Sequence, residues 1–134
     1  MHEAPPTIGV IDSDPVARAG IKALLQPVGV DVVPFESAES YLLSATREQL
    51  SCLIVDLLLP GMSGLELLRR LRALGDDVPV ILLADESDVP TAVAAMREGA
   101  TDFIEKPYVN VAVLKQVQKL LRSNGGGGSG TVRA

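Results

Sequence analysis

Three ionisable residues each stand at the end of a short strand-like run: Asp12 follows the apolar Ile8-Gly9-Val10-Ile11, Asp56 follows the apolar Cys52-Leu53-Ile54-Val55, and Lys106 follows Asp102-Phe103-Ile104-Glu105. Two carboxylates a few ångströms apart repel by a few kcal/mol at an effective dielectric of about 20, so a site holding both needs a cation. Magnesium, a hard ion that takes oxygen ligands, meets that need. A metal-neutralised aspartate beside a lysine suits the acceptance of a phosphoryl group, because such transfer is mostly positioning and charge stabilisation. Taken singly, each residue has a plainer reading: a strand-end aspartate as a helix cap or turn, the lysine as a surface charge. Convergence at three strand ends favours a site.

Other chemistries are poorly supplied. The 134 residues include one histidine, His2, and one cysteine, Cys52, so Cys/His zinc sites, Ser-His-Asp triads and a histidine-based relay within the chain are excluded. Cys52, inside an apolar run, reads as a small buried hydrophobe. A net charge of −5 has the wrong sign for gripping a phosphate backbone, so direct nucleic-acid binding is not expected. No apolar run approaches the roughly 18 residues of a membrane span, and Met1 to Thr7 lacks the pattern of a signal peptide. A soluble, cytoplasmic protein without membrane contact is the expectation.

The elements that must position the three residues follow from the apolar pattern. Runs bounded by turn residues alternate five times with stretches of helical period, the signature of βα units on a parallel sheet. Strands are expected at Ile8–Ile11, Val30–Phe35, Cys52–Val55, Val80–Leu83 and Asp102–Glu105. Asp14 with Pro15 opens the first helix, which carries Ala17, Ile21, Leu24 and Leu25 on one face. Ser37 opens the second, with Ala38, Tyr41, Leu42 and Ala45 in phase. A Ser63/Glu66 capping box opens the third, which buries Leu67, Leu71 and Leu74 before Gly75-Asp76-Asp77 closes it. The fourth shows Val89, Val93 and Met96 on one side and stops at Gly99; the fifth, capped by Asn110, presents Val113, Val117, Leu120 and Leu121. Residues 1–122 form one domain by this reading. Residues 123–134, rich in Gly and Ser, form a flexible linker or tail.

The expected fold is α/β: a flavodoxin-like (βα)5, doubly wound, five-stranded parallel sheet in the order 2-1-3-4-5. Ligands in such sheets bind outside the carboxyl ends of the strands. Strands one and three are neighbours in that order, so Asp12 and Asp56 share one crevice, with Lys106 facing the same mouth.

At this point the chain resembles the receiver domains of two-component response regulators, especially the FixJ-type branch, from Ile8 to Leu121. The resemblance rests on Ile11-Asp12, on Val55-Asp56 with Pro60-Gly61-Met62-Ser63-Gly64 after it, on Asp88-Val89-Pro90, and on Gly99 through Pro107. It implies that Asp56 takes a phosphoryl group from the histidine of a sensor histidine kinase. It implies that Asp12, Asp56 and the backbone carbonyl of Leu58 hold Mg²⁺, and that Lys106 pairs with the phosphoryl group. Phe103 would be the aromatic whose rotamer follows activation. A homodimer through the helix four, strand five and helix five face would follow, coupled to an output domain that regulates transcription.

Three positions depart from the family pattern. Ser13 stands where a second magnesium-binding acid is usual, which weakens the metal site. Ala84 replaces a Thr or Ser whose hydroxyl is drawn to the phosphoryl oxygen, a hydrogen bond worth roughly 1.5 to 3 kcal/mol. Asp85 follows where a small residue is usual; its carboxylate either opposes an arriving phosphate or restores charge to the metal site. These departures sustain a second reading, a pseudo-receiver that acts as a phosphorylation-independent interaction module. A third comes from Asp12-Ser13-Asp14-Pro15-Val16, which matches the DxDx[TV] signature of haloacid-dehalogenase-like phosphatases, with Asp12 as nucleophile and Asp14 as acid/base.

Overall fold

The computed structural model describes residues 5–44, 49–108 and 110–125, the side chains of 123–125 excepted. Five strands, β1 (Thr7–Ile11), β2 (Asp31–Phe35), β3 (Cys52–Asp56), β4 (Val80–Ala84) and β5 (Asp102–Glu105), alternate with five helices. These are α1 (Pro15–Leu25), α2 (Ala38–Leu42), α3 (Gly64–Ala73), α4 (Val89–Arg97) and α5 (Asn110–Gly125). All four strand pairings are parallel, and the order is β2-β1-β3-β4-β5, as the βα alternation predicts.

Near-continuous apolar strands imply burial on both faces, and β3 and β4 are buried at every residue. Because strand side chains alternate, each strand feeds two cores. Ile11, Leu53, Val55, Val80 and Leu82 pack with α2, α3 and α4 residues, including Tyr41, Leu67, Leu71 and Ala92. Ile8, Val10, Ile54, Ile81 and Ile104 pack on the other face with Ile21 and Leu25 of α1 and Val113 and Val117 of α5. Cys52 lies in this second core, where burial pushes its thiol up to about 12. Among the described residues no helix is long and apolar enough to cross a membrane.

The capping signals act as read. The Asp14 carboxylate accepts from the Val16 N–H, Ser37 Oγ accepts from the Ser40 N–H, and Ser63 and Glu66 form the reciprocal box. Gly75 and Gly99 take the positive φ that ends α3 and α4.

Two helix faces differ from the periodic reading. In α4 the buried residues are Ala92 and Ala95, whereas Val93 and Met96 are exposed, because alanines let a helix lie close to the sheet while bulkier neighbours are turned outward. Leu74, expected inside, is the C-terminal cap of α3 and is 63% exposed, since the chain leaves the helical path there. Asn110 is the first residue of α5, and that helix reaches Gly125, so it includes the first three residues of the segment read as a tail. Ala45 and residues 126–134 lie outside the described residues.

Candidate functional site

Strand register decides which side chains meet. The last β1–β3 pair is Ile11 with Val55, so one step further Asp12 and Asp56 emerge side by side at the carboxyl edge. The last β4–β5 pair is Ala84 with Glu105, and the Lys106 N–H donates to the Ala84 carbonyl at 2.8 Å, which brings Lys106 to the same edge. Its ammonium lies 3.1 Å from Asp56 Oδ2. Asp12 and Asp56, 3% and 7% exposed, are the only buried charged residues among those described.

Each carboxylate is aimed by backbone. Asp12 Oδ1 accepts the Asp14 N–H at 2.9 Å, while the Asp12 carbonyl accepts from Arg18 Nη1 at 2.6 Å. Asp56 Oδ1 accepts the Leu58 N–H at 3.2 Å, which turns Oδ2 toward Lys106. The Leu58 side chain is 57% exposed, so its backbone is the part engaged with the site, whereas Leu57 is buried in the core. Gly64 closes the loop: its N–H donates to the Leu57 carbonyl, and a Cβ there would sit 2.7 Å from the Asp56 carbonyl oxygen.

The electrostatics follow from burial and proximity. Burial raises the Asp12 carboxyl above its usual range; the Asp14 N–H opposes that shift and the Asp56 charge adds to it. Burial disfavours the Lys106 ammonium, but the hydrogen bond to Asp56 and the charges of Asp56, Asp12 and Asp85 outweigh it and hold Lys106 above its usual range. Two carboxylates and one ammonium leave the pocket one negative charge in excess. Magnesium commonly binds through one or two carboxylates and keeps several waters, so the buried pair Asp12 and Asp56 is a donor set of the kind it takes. No group of three or more His, Cys, Asp or Glu residues able to hold a metal occurs among the described residues. Ser13 is exposed and brings only a neutral hydroxyl.

The remaining positions divide clearly. Ala84 is buried at the end of β4 and Phe103 is half-buried against the core beneath α3 and α4. Asp85 is exposed and makes no side-chain cap. Asp14 is engaged as the α1 cap, which removes support for its acid/base role in the phosphatase reading. Two features escaped the sequence reading. Tyr108, half-buried, lies within the field of Asp12, Asp56 and Lys106: burial first, then the Asp12 charge, raises its phenol. Glu39 of α2 accepts the Met62 N–H at 2.8 Å, tying down the loop after β3. The first carries only the signal of an aromatic two residues past Lys106; the second pairs residues 23 positions apart and carries none.

Comparison with known proteins agrees with this geometry. The family model of the response regulator receiver domain matches residues 8–118. The transcriptional regulatory protein FixJ of Azorhizobium caulinodans is 39% identical over 121 residues, covering 90% of this chain and 57% of that protein. The response regulator protein TodT of Pseudomonas putida is 33% identical over 122 residues, covering 91% of this chain and 54% of its own length. The chain therefore spans little more than half of these relatives. Among solved structures, a response regulator receiver protein from Pseudoalteromonas atlantica superposes with a TM-score of 0.81 at 38% identity, covering 88% of this chain and 98% of its own. Full-length FixJ from B. japonicum gives 0.80 at 34%, covering 88% of this chain and 58% of its own. The strand order, the paired carboxylates with their lysine, and these likenesses agree: the chain belongs to the response-regulator receiver domains of two-component signalling, within the FixJ-type branch.

Proposed function

We propose that Asp56 is the phosphoacceptor of this domain and that the donor is the phosphohistidine of a sensor kinase. The observation that carries the proposal is the contact of Lys106 with Asp56 Oδ2 at 3.1 Å beside buried Asp12. In the transfer an Asp56 carboxylate oxygen bonds to phosphorus as the P–N bond to the kinase histidine breaks, and the imidazole leaves with the electron pair. Lys106 then pairs with the phosphoryl oxygens. Asp12, Asp56 and the Leu58 carbonyl would hold magnesium, which supplies charge neutralisation. With one excess negative charge in the pocket and Ser13 at the flank, that affinity is weak.

The output is a homodimer through α4, β5 and α5, where Val93, Met96 and Val111 are exposed. In the full-length protein a transcriptional output domain follows, by analogy with FixJ. The domain is a signalling module; any phosphoryl uptake from small donors is self-modification. Incubation with Mg²⁺ and acetyl phosphate or phosphoramidate, read by intact mass, tests the proposal. One added phosphoryl group is expected, absent from Asp56→Asn. An unmodified wild-type mass at saturating donor refutes it.

The buried methyl of Ala84 favours a second reading, the phosphorylation-independent interaction module. A magnesium titration separates the two, since that module shows no saturable response at millimolar metal.

A further inference from the structure

Asp85 is the charged residue at the site mouth that neither capping nor metal binding explains. The helix caps Asp14, Ser37 and Ser63 each accept a backbone N–H, but Asp85, extended at φ −71° and ψ 164° before a short 3-10 turn, makes no such bond. Its carboxylate has no hydrogen bond or ion pair with any described residue. It completes no group of three potential metal ligands with Asp12 and Asp56. What it has is position. One step past the register pair Ala84 with Glu105, it stands beside Lys106, whose N–H is held by the Ala84 carbonyl. Its charge acts on the Lys106 ammonium.

We propose that Asp85 is a specificity-determining residue that selects phosphodonors by charge, holding a fixed negative charge where the donor's phosphoryl oxygens must approach Lys106. The inference rests on Asp56 being the phosphoacceptor. A donor carrying more negative charge meets more repulsion on approach, so a dianion suffers more than a monoanion. Acetyl phosphate is a dianion near neutral pH: its P–O bond breaks, acetate leaves with the electron pair, and phosphorus bonds to Asp56. Phosphoramidate is a monoanion: its P–N bond breaks and ammonia leaves. One unit of extra donor charge at roughly 8 Å from a carboxylate, at an effective dielectric of about 40 to 60 between that of a protein surface and bulk water, changes a rate about threefold to sixfold.

The test is the ratio of labelling rates with acetyl phosphate and phosphoramidate, in Mg²⁺ at low ionic strength, for the wild-type chain, Asp85→Asn and Asp85→Ala. A ratio removes differences in metal occupancy and in the fraction folded. It is expected to rise about threefold to sixfold in both variants, with the rise fading near 1 M salt, where the Debye length is about 3 Å. Labelling of all three proteins with an unchanged ratio overturns the charge selection and leaves the phosphoacceptor reading intact. Failure of wild type and variants to label with either donor overturns that reading and this inference with it.

Discussion

The ion pair between Lys106 and Asp56 is the contact on which the site's charge balance depends, and Lys106→Met removes it while keeping an apolar stem of similar reach. At 3.1 Å and an effective dielectric of about 20, the attraction is about 5 kcal/mol. The Lys106 side chain is 28% exposed and that of Asp56 11%, so screening and the ammonium's burial offset roughly half, leaving about 2 to 3 kcal/mol. Unfolding entropy of about 2.1 cal/mol/K per residue over the ordered chain converts that loss to a fall in Tm of about 10 °C. The pH dependence has a definite sign. Lys106 is held above its ordinary value of 10.5, so its contribution is complete below 10.5 and is lost only as pH rises through the higher folded value. Thermal melts followed by circular dichroism in EDTA should show a constant gap between wild type and Lys106→Met from neutral pH to about 10, closing above it. In the Asp56→Asn background the same change should be nearly silent, because the charge it leaves unpaired is gone. A gap under about 3 °C at neutral pH means that solvent screens the pair, and the picture of one shared pocket is then wrong.

Other perturbations probe neighbouring contacts. Asp12 is held above its ordinary 3.8, so between that value and the folded one the native state binds more protons and stability falls as pH rises. Asp12→Asn, whose amide oxygen still accepts the Asp14 N–H, should therefore raise stability at neutral pH by about 0.5 to 2 kcal/mol and flatten that slope; a lower Tm than wild type contradicts the assignment. Gly64→Ala places a methyl 2.7 Å from the Asp56 carbonyl oxygen and 2.9 Å from Leu57 Cα, both backbone atoms. Urea denaturation should show a loss of about 1 to 3 kcal/mol, and a change within experimental scatter would mean that the loop yields freely. Ala84→Thr returns a hydroxyl to the end of β4; it should strengthen the shift in dimer Kd caused by beryllofluoride about tenfold or more, read by sedimentation, and equal shifts in both proteins count against it.

The fold was readable because its signals are local. Apolar runs of four or five residues followed by an acid mark β1, β3 and β4, and Asp14, Ser37 and Ser63 mark where helices begin. Sheet order then turns separate strand ends into one site, so Asp12, Asp56 and Lys106 could be assembled before any distance was measured. The α4 face was misjudged for a physical reason: hydrophobic period weights Val and Met above Ala, whereas close packing on the sheet selects Ala92 and Ala95 and exposes Val93 and Met96. Contacts that join remote segments left no periodic trace. Arg72 of α3 donates to the carbonyls of Asp76, Val78 and Gly99, and Arg69 pairs with Glu98, so α3 is fastened to the turn after α4 through residues nearly thirty positions away.

These same positions describe a rearrangement of charge. Against the family pattern the chain lacks an acid at 13, on the flank of Asp12, and gains one at 85, on the flank of Lys106. The number of carboxylates around the mouth is conserved, but their effect is not, because Coulomb energy depends on which partner is near. An acid at 13 would add to the field that draws a divalent cation to Asp12 and Asp56. At 85 the charge acts on Lys106, alongside Asp56 and Asp12, and strengthens the hold on an ammonium already bound to Asp56 Oδ2. If Asp12 and Asp56 hold Mg²⁺ as proposed, the exchange trades affinity for metal against a more firmly charged lysine. If Asp56 is the phosphoacceptor as proposed, an incoming phosphoryl group competes with Asp56 and Asp85 for that single ammonium, and donor charge and metal concentration would then govern the response.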